Sequence, residues 1–162
     1  MPKRIKVPKY WEDYKLGEKF LSPGRTISEG IINIITGLAG FTLPLFWDEE
    51  EAKKTIFKTR IAPGRMTLLF MGGLEEQCGF WDEETIVALI GIDRVRITNS
   101  LRSGDTIRVE GEIIEKRETK NLGRGIIVHR STCKNQRGEV VAKTETTHLV
   151  KRGPEDRQIE DF

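Results

Sequence analysis

Cysteine, charge of one sign and long apolar runs are all scarce in this sequence, and each shortage excludes a class of protein. Its only cysteines are Cys78 and Cys133, too few for a disulfide framework or a metal site. We expect both to be reduced, buried thiols. No run of 18 apolar residues exists, and the first 15 residues lack the apolar stretch of a secretory signal. A membrane span and secretion are therefore not expected.

The charges are nearly balanced, with 27 basic and 25 acidic residues among 162 and a net charge of +2. A nucleic-acid-binding protein usually concentrates basic residues on one face, so that partner is not expected. The 32% of charged residues and the few Asn, Gln and Cys residues favour a thermophilic source. The length is that of one globular domain. We predict a cytoplasmic protein with neither a membrane nor a nucleic acid as partner.

Three segments can be distinguished along the chain. Residues 1–14 predict an N-terminal arm, which Tyr10 and Trp11 attach to the body. Residues 15–150 contain the regular structure and form the predicted domain. Residues 151–162 are polar and predict a frayed tail.

The helical pattern is clearest from Pro63 to Cys78, where apolar residues cover most of the circumference. This pattern predicts one long, buried central helix. We expect a sheet or another helix to approach Gly72 and Gly73 closely, which would compensate for their low helix propensity. Ser28 and Asp48 are predicted to cap two shorter helices.

The strand pattern begins at 18–26, where Pro23 and Gly24 interrupt a short strand. Four consecutive strands are predicted at 85–99, 106–116, 124–134 and 139–150. The apolar run from Ile86 to Ile92 predicts a strand buried on both faces. The expected fold is α+β, an antiparallel sheet wrapped around one long helix. Such a layer leaves one sheet edge and one helix flank uncovered, so a homodimer is expected.

These elements carry a resemblance to a known family. The runs TISEGIINIITGLAG, LPLFWDEEEAKKTIFKTRIAPGRMTLLFMGGL and VRITNSLRSGDTIRVEGEI resemble the MaoC-like hydratase/dehydratase family in order and spacing over residues 15–150. The resemblance implies a hotdog fold with Pro63 to Cys78 as the central helix. It also implies a homodimer with sites between subunits and a CoA or carrier-protein thioester as ligand, with no other cofactor.

The chain departs from the family at the residues that transfer protons. Active members carry Asp and His five residues apart in a segment written roughly GDxNPxH, which corresponds here to Gly40–Phe46. Phe41 stands at the Asp position and Phe46 at the His position, while Leu69 stands where some members have Ser. A phenyl ring neither donates nor accepts a proton. No residue is therefore assigned a catalytic role.

Six residues are predicted to bind the substrate: Phe41, Thr42, Phe46, Pro63, Gly64 and Arg65. The Gly64 N–H, at a helix N-terminus, is suited to hold a thioester carbonyl. Two alternatives stay open: the phenylalanines pack a subunit interface, and Gly64 serves only the turn into the helix. For Arg60 and Arg65 we favour ordinary ion pairs over CoA phosphate binding.

Three functions remain in competition. The first is an acyl-thioester-binding protein with lost or altered hydratase activity, which includes the non-catalytic partner of a complete hotdog subunit. The second is an active hydro-lyase or thioesterase in which Thr42 or Glu75 acts. The third is a protein-interaction module that uses the apolar loop 41–47. His129 and His148 are expected to be structural, and Glu75 and Glu76 to be solvated.

Overall fold

The computed structural model describes residues 7–154. Its α-helices are α1 (Glu29–Leu38), α2 (Glu49–Lys54) and α3 (Gly64–Gln77), and two short 3-10 turns cover Trp11–Asp13 and Pro44–Phe46. Its strands are β1 (Lys19–Leu21), β2 (Arg25–Thr26), β3 (Ile86–Ile97), β4 (Thr106–Glu118), β5 (Arg124–Lys134) and β6 (Val140–Lys151). The predicted break of the first strand and the four later strands are confirmed.

The strands form one antiparallel sheet with the order β1-β4-β5-β6-β3, and β2 also pairs with β4. Consecutive strands β4, β5 and β6 are neighbours, as expected for hairpin connections. Strand β3 precedes these three strands in the chain but lies beyond β6 in the sheet. It therefore forms an edge of the sheet.

The prediction that Ile86–Ile92 is buried on both faces is wrong for this chain by itself. Leu89, Ile90 and Ile92 are 54%, 52% and 44% exposed. An apolar run predicts that other residues cover the strand. The position of the strand in the sheet decides whether those residues belong to the same chain. Within residues 7–154, β3 pairs with β6 along one side and with no strand along the other.

Helix α3 packs its apolar face on the sheet, which confirms the α+β architecture around one long helix. Met66, Phe70, Met71 and Leu74 are at most 4% exposed and share a core cluster with residues of β4, β5 and β6. Leu69 departs from the predicted apolar face, since it is 60% exposed.

The close approach expected at Gly72 and Gly73 does not occur within the described part of the chain. A Cβ atom built at either position would have no neighbour within 4 Å. Gly111 is different, because a Cβ there would lie 2.0 Å from Cζ of Phe20, its partner on β1. Glycine is therefore needed at position 111, because the Phe20 ring lies across β4 at this residue.

Both predicted N-caps are confirmed. The Ser28 hydroxyl accepts a hydrogen bond of 3.3 Å from the backbone N–H of Ile31. Asp48 Oδ1 accepts bonds of 2.9 and 3.1 Å from the N–H groups of Glu50 and Glu51. These bonds satisfy donors that a helix N-terminus leaves unpaired.

The described part of the arm lies on the sheet. The Trp11 indole N–H donates to the carbonyl of Ile126 at 3.0 Å, and Tyr14 is fully buried. The frayed-tail prediction falls mostly on 155–162, outside the described residues. Across 7–154, no helix is long and apolar enough to cross a membrane.

Candidate functional site

The loop between α1 and α2 is held by hydrogen bonds at both ends. Gly40 adopts a φ of +71° just after α1, in the region that favours glycine. The Phe41 N–H then donates to the Thr36 carbonyl at 3.1 Å. At the other end, the Trp47 indole N–H donates to the Phe41 carbonyl at 2.7 Å. The loop therefore has a defined backbone path.

This path brings Phe41 and Phe46 into contact. Their ring centroids lie 5.9 Å apart at an interplanar angle of 80°, the edge-to-face arrangement that aromatic pairs prefer. Phe46 is buried and Phe41 is half-buried, whereas Thr42 between them is exposed. The two phenylalanines that were predicted to replace the family's Asp and His thus contact each other and offer only hydrocarbon.

Arg60 ties the two helices that flank this loop. Its guanidinium contacts the Glu29 carboxylate and donates to Asn33 Oδ1 of α1 at 3.3 Å, while its backbone N–H donates to Glu49 Oε2 of α2 at 3.1 Å. The side chain is only 25% exposed. The ion-pair interpretation of Arg60 is confirmed, and the guanidinium fixes helix positions.

The three other predicted binding residues lie together where α3 begins. Pro63 is the buried N-cap and Gly64 the first helical residue. A Cβ on Gly64 would lie 3.5 Å from the Ile97 side chain of β3. Arg65 is exposed, and its guanidinium forms no ion pair with residues 7–154. The first N–H groups of this 14-residue helix therefore lie next to a positive charge that has no ion-pair partner among residues 7–154.

A buried acid and imidazole lie further along α3. Glu75 is 6% exposed, and its Oε2 lies 3.2 Å from Nε2 of the fully buried His129 on β5. The His148 ring on β6 stacks on that of His129, with centroids 5.3 Å apart and planes 5° from parallel. The prediction that Glu75 is solvated is wrong. Helical spacing could have indicated the burial of Glu75, since Glu75 follows the buried Met71 by four residues and so lies on the same face of the helix.

Burial dominates the electrostatics of this cluster. It lowers the pKa of His148 to about 4, as does the neighbouring His129, against an opposing effect of the Glu75 carboxylate. The His148 imidazole is therefore neutral at pH 7. Burial also raises the pKa of Cys133 to about 12. This thiol remains protonated and is not a nucleophile.

Glu75 and His148 line an open cleft of about 600 Å³ that runs between α3 and strands β3 and β6. The six residues predicted to bind substrate lie outside its lining. Among the described residues, no group of three His, Cys, Asp or Glu side chains is placed to hold a metal ion.

An antiparallel sheet packed on one long helix is the arrangement of the hotdog fold. The fold agrees with that of a Mycobacterium tuberculosis protein described as having a double hotdog fold. The two superpose with a TM-score of 0.78 at 20% identity, over 92% of this chain and 46% of the other. The matched region is thus most of this chain and about half of that protein.

The family follows from more specific matches. The family model described as MaoC like domain matches residues 13–135, and the chain belongs to this family. It is 32% identical to the (R)-specific enoyl-CoA hydratase of Rhodospirillum rubrum, over 87% of this chain and 91% of the hydratase. It also superposes on a structure described as a monoamine oxidase regulatory protein from Archaeoglobus, with a TM-score of 0.84, 33% identity and coverage of 91% and 97%.

Proposed function

We propose that this chain binds acyl thioesters of CoA or a carrier protein and does not hydrate them through the positions that its family uses. The contact between Phe41 and Phe46 carries this proposal. Hydration of an enoyl thioester needs one group that takes a proton from water and another that delivers a proton to the α-carbon. Two phenyl rings in edge-to-face contact supply neither group and exclude water from the space between them.

The groups proposed to hold the thioester lie at the start of α3. The Gly64 N–H lies at a helix N-terminus, where the aligned peptide dipoles stabilise negative charge on a carbonyl oxygen. The Arg65 guanidinium, which forms no ion pair within residues 7–154, adds a positive charge in the same turn. A phosphate of CoA or of a carrier's prosthetic group is a suitable partner for it.

A dimer completes the proposed site. The edge strand β3 exposes Leu89, Ile90 and Ile92, and an uncovered apolar edge strand is a liability in a soluble monomer. The space beside Gly72 and Gly73 is empty within the described chain. A second hotdog unit would cover both, as an identical copy or as a complete subunit that carries the acid/base pair. In a complex with a complete subunit, this chain would be the non-catalytic partner.

The first experiment separates binding from turnover. Isothermal titration with acetyl-CoA should give saturable binding, and crotonyl-CoA hydration, followed by loss of the enone absorbance, should not exceed the uncatalysed rate. The double variant Phe41→Asp, Phe46→His should gain hydration, because the loop path already brings these positions together. Each single variant serves as a matched control and should remain inactive. Hydration by the wild-type chain would contradict the proposal.

One observation favours a second candidate, an active hydrolase or hydro-lyase that uses other residues. Glu75 has a buried imidazole partner, which is an arrangement that can activate water. Thr42 is exposed on the loop and is the weaker candidate. Release of free CoA from acyl-CoA, abolished by Glu75→Gln and retained by Thr42→Val, would establish this function in place of the first.

A further inference from the structure

A compact turn at residues 80–85, which we name the α3–β3 turn, joins the central helix to the edge strand. Its centre is Asp82, whose carbonyl accepts hydrogen bonds of 3.1 and 3.0 Å from the N–H groups of Thr85 and Ile86. Asp82 Oδ1 also accepts the N–H of Glu84 at 3.0 Å. Because these bonds are local, the turn can keep its shape while it moves against the rest of the protein.

The α3–β3 turn carries aromatic rings onto the buried imidazole of His129. The ring centroids of Trp81 and His129 lie 4.9 Å apart, and those of Phe80 and Trp81 also lie 4.9 Å apart. His129 is fully buried and does not border the cleft, whereas its partner Glu75 does. Trp81, which also borders the cleft, therefore separates this imidazole from solvent.

The two ends of the turn are held differently. Gly79, which precedes it, has a φ of +69°, and a Cβ built there would meet no atom of the described chain within 4 Å. Its N–H reaches the Glu76 carbonyl only at 3.5 Å. At the other end, the Thr85 carbonyl accepts the N–H of Lys151 on β6 at 2.8 Å. Gly79 is thus suited to be a hinge, and Thr85 to be the fixed pivot.

The N-terminal arm contacts the half of the turn that lies next to this hinge. The Lys9 backbone N–H donates to Asp82 Oδ2 at 3.1 Å, and the Lys9 ammonium lies 4.2 Å from the centroid of the Phe80 ring. The Tyr14 hydroxyl accepts the Asp82 N–H at 3.2 Å. The Tyr14 ring also lies 5.5 Å from that of Trp81. Each residue from Phe80 to Asp82 is therefore fastened by the arm.

These contacts are few and individually weak. A hydrogen bond or a cation–π contact shifts an equilibrium by about tenfold or less, so a small number of them leaves an open state within reach. They lie outside the β3 edge and the two glycines that the proposed dimer covers. The same contacts are therefore available in a monomer and in that dimer.

We propose that the α3–β3 turn is a lid over His129 that opens at Gly79, and that the N-terminal arm is the latch that keeps it closed. Opening lifts Trp81 from the imidazole, so that His129 exchanges protons with solvent, which the fully buried ring does not do in the closed state. The device is independent of the proposed thioester binding, because none of the six predicted binding residues belongs to the lid or the latch.

The test is the rate at which diethyl pyrocarbonate modifies His129. The chain has only two histidines, and peptide mass spectrometry measures each separately. Lys9→Met removes the ammonium from the Phe80 ring, and Tyr14→Phe removes the acceptor of the Asp82 N–H. Each variant should raise the rate about fivefold over wild type, as the loss of one such contact provides. Lys53→Met, which loses an ion pair with Glu50 on α2, is the matched control and should leave the rate unchanged.

Cys133 distinguishes lid opening from unfolding of the whole chain, because its thiol is fully buried in the core. Faster modification of His129 with unchanged alkylation of Cys133 by iodoacetamide supports the lid. A parallel rise at both residues shows general destabilisation and overturns the proposal, as does an unchanged His129 rate in both latch variants. Should Tyr14→Phe fail to fold, Lys9→Met decides the test, since Lys9 is only half-buried.

Discussion

The stability of the protein should fall between pH 7 and pH 5 because of one buried imidazole. The chain has two histidines, His129 and His148, so few side chains titrate in this interval. The pKa of His148 is lowered to about 4 in the folded state by burial, while the ordinary value is 6.5. Between these values the unfolded chain binds more protons than the folded one, so stability rises with pH.

The magnitude follows from the two pKa values. The contribution is complete above pH 6.5 and is lost as the pH falls towards about 4. One pH unit within this window corresponds to about 1.4 kcal/mol. The free energy of unfolding should therefore decrease by about 2 kcal/mol from pH 7 to pH 5. Three titratable groups face each other here, Glu75 from α3, His129 from β5 and His148 from β6. The carboxylate opposes the shift and is included in it.

The assay is urea unfolding at fixed protein concentration and several pH values, since the stability of the proposed dimer would depend on concentration. The variant His148→Phe keeps a ring against Trp81 and His129 but does not titrate. Its stability should change by less than about 1 kcal/mol over the same interval. A wild-type stability that is flat from pH 7 to pH 5 would refute the reasoning. So would a slope that survives in the variant.

Two further substitutions test the frame around the sites. Gly111→Ala should destabilise by about 3 kcal/mol, because the new methyl group would lie 2.0 Å from the Phe20 ring; a loss below 1 kcal/mol by urea unfolding would show that the ring moves freely. Arg60→Met should cost roughly 1 kcal/mol, since it removes the contacts with Glu29 and Glu49 while keeping a long side chain. Hydrogen exchange should then rise in loop 41–47, and unchanged exchange there would contradict the tying role of Arg60.

Local sequence determined most of the secondary structure. Ser28 and Asp48 cap their helices through bonds to N–H groups two or three residues away, and such short-range bonds are readable without a fold. The change from helical to alternating spacing after α3 likewise separated helix from strands. The resemblance to the MaoC-like family extended this to the hotdog fold, because that family's segments occur here in the same order.

The tertiary structure alone decided which residues meet. Glu75 and His129 are 54 residues apart in sequence, so no local pattern joins them, and their pairing depends on the placement of β5 under α3. The exposure of β3 depends in the same way on the sheet order. Side-chain spacing determines the type of an element and its apolar face, since these are short-range properties. Long-range packing determines which faces touch, and it placed the Glu75 carboxylate against the buried imidazole of His129.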